Sequence, residues 1–112
     1  MTIRLDKPWI ALSLHAVAAL PGQLGVYQLA DEDGCIVYIG FAGGRSAFGL
    51  RGELERAFRE RPAGAVQFRY EVNQQYTSRH RELLMLHVAD HGKLPIGNPA
   101  DFPARLGRLS PL

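Results

Sequence analysis

The chain has 112 residues, a net charge of +2, 46% hydrophobic and 21% charged residues. That length fits one domain with its own core, and the composition excludes wholesale disorder. A single cysteine, Cys35, excludes an intrachain disulfide and points to a reducing, cytoplasmic setting. No stretch nears the roughly twenty apolar residues needed to span a bilayer, so no membrane partner is expected.

Elements can be read in chain order. Ile10, Leu14, Val17 and Ala18 fall at i, i+4, i+7 and i+8, the stripe of an amphipathic helix within residues 1–19. Ala16-Val17-Ala18 has the small-x-small form of a signal cleavage site, but Asp6, Pro8 and His15 interrupt the apolar stretch before it. Gly25 to Leu29 reads as a strand, Asp31 to Gly34 as turn chemistry, and Cys35 to Ile39 as a second strand. A glycine-rich loop, Phe41 to Gly49, leads into a helix with Leu50, Leu54, Ala57 and Phe58 on one face. Pro62 and Gly64 stop that helix. Val66 to Val72 alternates as a third strand. Thr77 or Ser78 can cap a last helix, which runs to His91 and ends at Gly92.

The expected architecture is α/β in the α+β sense: one domain over 1–112, a three-stranded sheet with a hairpin, and flanking helices. Its core spans 20–98, and a proline-rich, irregular tail occupies 99–112.

Eleven of the thirteen basic residues are arginine. That bias suits bidentate phosphate recognition, and a GC-rich genome would produce it equally. Other apparent motifs carry little. Gly43-Gly44-Arg45-Ser46 lacks the Gly-Lys-Ser/Thr ending of a P-loop. His87 and His91 share a helical face without an evident third zinc ligand. Cys35, in a strand, reads as a small core residue.

One pair of triplets is more specific. Gly25-Val26-Tyr27, ten intervening residues, then Tyr38-Ile39-Gly40 resembles the paired motif of the GIY-YIG nuclease superfamily, with Val for the central Ile. A helix with an arginine, a third strand, a helix with a glutamate, and the asparagine of Pro95-Ile96-Gly97-Asn98 follow in order. The resemblance covers Leu20 to Asn98. It implies a metal-dependent endonuclease that hydrolyses phosphodiester bonds of nucleic acid, DNA in the first instance, with one Mg²⁺ or Mn²⁺ ion.

The resemblance implies that Tyr27 and Tyr38 position or deprotonate the attacking water, that an arginine contacts the scissile phosphate, and that a glutamate holds the ion. A phenol becomes a usable base only beside a cation or a metal-bound water, and two strand tyrosines can equally be core packing. Among the helix arginines, Arg51 borders the apolar stripe while Arg56 and Arg59 fall on its solvent side. Arg51 can instead pair with Glu55. Glu82 lies at i−3, i−4 and i−7 from Met85, Leu86 and Ala89, an apolar arc on which a carboxylate must bind a metal or pair with a cation such as Arg51. Gly40 would let the backbone approach substrate, Arg45 would add phosphate contact, and Asn98 is either a supporting amide or a turn residue. Tyr27, Tyr38, Arg51 and Glu82 should then converge on one concave face.

Two departures weigh against turnover. Glu55 stands where many members carry a His or Tyr, and the loop before Arg51 has glycines where the family often has lysines. The alternative is a catalytically weak or inactive module of the same fold that binds nucleic acid or protein.

Overall fold

The expected hairpin forms around Asp31. In a computed structural model that describes residues 4–99, the Asp31 carboxylate accepts the N–H groups of Asp33 and Cys35, both at 3.0 Å. Gly34 completes the turn at φ +84°, a conformation that costs glycine little. Cys35 precedes the second strand and is exposed, not part of the core.

The elements run β1 (Ile10–Ala11), α1 (Leu14–Ala18), β2 (Gly25–Ala30), β3 (Ile36–Ala42), α2 (Gly49–Glu60), β4 (Gln67–Val72) and α3 (Tyr76–His91). They build a small α+β domain around a four-stranded antiparallel sheet in the order β1-β4-β2-β3. Two expectations need correction. The sheet has four strands rather than three, because Ile10 and Ala11 pair with Phe68 and Gln67. The helix expected across residues 1–19 shrinks to α1, where Ser13 Oγ accepts the Ala16 N–H at 3.1 Å. Of its supposed stripe only Val17 is buried, and Ile10 and Leu14 face outward. The tail expected over 99–112 lies, from residue 100, outside the described residues.

β2 is buried along its whole length because both faces of the sheet are covered. Side chains alternate between the faces. Tyr27 and Leu29 join Leu50, Leu54, Ala57 and Phe68 on the side of α1 and α2. Val26 and Ile39 join Leu83, Leu84 and Leu94 on the side of α3. Gln28, the polar residue within β2, is buried but satisfied by Arg69 Nε, which donates to its Oε1 at 2.7 Å.

The rotation of α3 also departs from expectation. Its buried stripe is His80, Leu83, Leu84 and His87, spaced i, i+3, i+4 and i+7. Met85 is 44% exposed. The helix starts at Tyr76, without a side-chain cap from Thr77 or Ser78; Asn73 Oδ1 accepts the Gln75 N–H at 2.8 Å instead.

This rotation is testable by urea unfolding. Leu84→Ala should cost about 2–5 kcal/mol, and Met85→Ala should change stability by no more than about 0.5 kcal/mol. Comparable losses at both positions would contradict the orientation of α3.

Candidate functional site

Tyr27 and Tyr38 lie side by side on the α2 face, ring centroids 6.0 Å apart. Register sets Tyr27 opposite Gly40, and a Cβ on Gly40 would stand 2.4 Å from Tyr27 Cζ and 2.5 Å from its Oη. Gly40 therefore makes room for a tyrosine ring, where substrate approach had been expected. Tyr27 is 2% exposed. Burial above all, then the neighbouring Tyr38 and Glu53, pushes its phenol well above the ordinary value. In this setting the phenol donates a hydrogen bond, to Glu53.

The charged groups beside Tyr27 come from the flank of α2 that carries Glu53 and Arg56. Tyr27 Oη donates to Glu53 Oε1 at 3.5 Å, Ser46 Oγ to Glu53 Oε2 at 3.0 Å, and Arg56 Nη2 to Glu53 Oε1 at 2.6 Å. Arg51 turns to the other flank. Its guanidinium lies 6.0 Å from the Phe48 ring centroid, and its Nη2 is 3.8 Å from where a Gly22 Cβ would stand. The arginine beside the tyrosines is Arg56, not the expected Arg51. Angular distance from an apolar stripe says how deep a side chain sits, not which flank meets the neighbouring strand.

Glu82 is not at this corner. The rotation of α3 takes it off the buried stripe, where it forms an ion pair with Arg79. Arg79 also donates from Nε and Nη2 to Glu71 on β4, at 3.0 and 3.2 Å. Burial works to raise the Glu71 carboxyl, but hydrogen bonds from Arg79 and Asn73 prevail and hold it below its ordinary value. α2 and α3 cover opposite faces of the sheet, so Arg51 and Glu82 do not converge with the tyrosines on one face. The immediate partner of Glu82 is thus the Arg79 guanidinium. Among the described residues, no cluster of three or more His, Cys, Asp or Glu side chains is disposed to hold a metal.

What the hairpin edge does offer is a cleft of about 730 Å³. Tyr38, Phe41, Tyr76 and His80 give it aromatic walls, and Arg45, Glu53 and Arg56 give it charge. Arg45 lines this cleft. Asn98 also borders the cleft, but its amide is spent on β3: Oδ1 accepts the Ile39 N–H and Nδ2 donates to the Ile39 carbonyl, both at 3.0 Å. It closes a strand edge. Sequence reasoning missed Glu53, Arg56, Phe41, Tyr76 and His80. The i,i+3 spacing of Glu53 and Arg56 was the one available signal.

The buried histidines give a pH signature. Burial holds both His80 and His87 below their ordinary value of 6.5. The unfolded chain then takes up protons before the folded one does, so stability is full above about pH 6.5 and declines as pH falls below it. Glu71, depressed from 4.5, adds to the decline only at lower pH. The melting temperature should drop steadily from about pH 6.5 to pH 5, with a shallower slope in His87→Gln. A melting temperature that stays constant or rises on acidification would contradict this.

A family model described as a domain of unknown function (DUF7508) matches residues 3–90, most of the chain. Comparison with curated proteins and with solved structures finds no match. The chain therefore belongs to the DUF7508 family.

Proposed function

We propose that this domain is a GIY-YIG-like module that binds nucleic acid, DNA in the first instance, through the cleft at the hairpin edge. The observation that carries the reading is the make-up of that cleft: two arginines, Arg45 and Arg56, beside the aromatic rings of Tyr38, Phe41 and Tyr76. Guanidinium groups suit phosphate oxygens, and aromatic faces suit bases. The order of elements, the two tyrosines on neighbouring strands and the asparagine against β3 support the GIY-YIG-like part of the reading.

Turnover by Tyr27, Tyr38, Arg51 and Glu82 together has no such support, since Arg51 and Glu82 lie away from the tyrosine pair. Hydrolysis remains the second reading on one specific observation. Tyr27, Glu53, Arg56 and Ser46 form one connected hydrogen-bond cluster, which supplies an arginine and a carboxylate next to the tyrosine pair. In that reading Glu53, not Glu82, is the essential carboxylate.

One pair of assays separates the readings. Binding of labelled DNA should weaken with salt, and Arg56→Ala should reduce affinity and lower the salt slope by about one. Plasmid incubated with Mg²⁺ or Mn²⁺ should stay intact. Cleavage abolished by Glu53→Ala and spared by Glu82→Ala would establish the second reading. Cleavage lost with Glu82→Ala would restore the arrangement expected from sequence. Absence of both binding and cleavage would sink the proposal.

A further inference from the structure

Resting on the nucleic-acid reading, we infer that the cleft selects single strands over duplex by stacking one unpaired base on Phe41. Phe41 is 42% exposed, yet its ring is held in place. Tyr76 stacks against it at 5.6 Å between centroids and 12° between planes, and His80 leans on it at 4.8 Å and 59°. Both supports are themselves fixed. Tyr76 Oη accepts the Gly44 N–H at 3.2 Å, and His80 Nε2 bonds the Ile39 carbonyl at 3.1 Å. Gly43 is part of the same fitting, for a Cβ there would stand 2.7 Å from Tyr76 Cε2. An aromatic ring held rigid while substantially exposed is preorganised to stack, since little conformational freedom remains to be lost on binding.

The size and polarity of the cleft narrow the ligand. Its volume, about 730 Å³, lies in the range of about 300–1,000 Å³ found for small-molecule sites. A nucleotide enters such a space, whereas paired and stacked bases cannot present a face to Phe41 without leaving the helix. The glycine loop offers no backbone cradle for phosphate at Gly43 and Gly44, whose N–H groups donate to Ser46 Oγ and Tyr76 Oη. Phosphate contact falls instead to the side chains of Arg45 and Arg56, which also line this cleft. Arginines that hold the backbone beside an exposed ring that holds a base make up the arrangement of a single-strand site.

Fluorescence anisotropy tests this with the intact chain and labelled DNA of about 12 nucleotides, single-stranded or as the duplex of the same sequence, at about 150 mM salt. The wild type should prefer the single strand by about tenfold or more. Phe41→Ala should erase that preference, with folding checked by circular dichroism. Phe41→Leu should lose it as fully, because it restores apolar area without a π face. Equal wild-type affinity for the two forms, or a preference that survives in Phe41→Ala or Phe41→Leu, overturns the inference while the binding reading stands. Failure to bind either form overturns both.

Discussion

The site depends on one steric constraint, the Tyr27 ring lying over Gly40. Antiparallel register sets the two residues opposite each other, and only a glycine leaves space beneath the ring. The phenol is thereby driven into the α2 face of the sheet, where Glu53 accepts its hydrogen bond. Glu53 in turn orders Ser46, within the glycine-rich loop, and Arg56, one turn further along α2. A polar chain thus runs from the buried strand to the cleft, and its members share one carboxylate. Groups coupled in this way respond together when one is removed.

The sheet also separates what sequence proximity to a motif suggested should meet. β2 carries Tyr27 toward α2 and Val26 toward α3, because successive side chains point to opposite faces. A residue on α3 reaches the tyrosine corner only around the β3 edge. His80 and Tyr76, at the start of α3, do come to that edge. Glu82 lies beyond it, engaged with Arg79. The Arg79 ion pairs fasten α3 to β4 through Glu71, which is a structural use of charge that a catalytic reading of Glu82 overlooks.

How much of this was legible differs by element. The hairpin was, since Asp31 and Gly34 are turn residues between β-rich runs, and α2 was, since Leu50, Leu54 and Ala57 leave only one stripe to bury. β1 was not, because two residues on an edge carry no periodicity. The phase of α3 was misread for a chemical reason. Leu83, Leu84, Met85, Leu86 and Val88 are apolar on nearly every side, so histidine decides the matter. His80 and His87 complete the buried stripe, each hydrogen-bonded to a backbone carbonyl. A reading that counts histidine as polar turns the helix toward Met85 and carries Glu82 inward with it. Arg56 is solvent-exposed, as its place on α2 implies, and the flank it occupies nevertheless adjoins Tyr27.

On the proposed reading, nucleic acid meets this protein at the hairpin-edge cleft and not at the outer face of α3. Amide chemical-shift mapping by nuclear magnetic resonance during titration with single-stranded DNA tests it most directly. Perturbed amides should cluster at Phe41 to Ser46, at Arg56 and at Tyr76, with Glu82 and Met85 unmoved. Perturbation centred on Glu82 and Met85, or none anywhere on the chain, would contradict it.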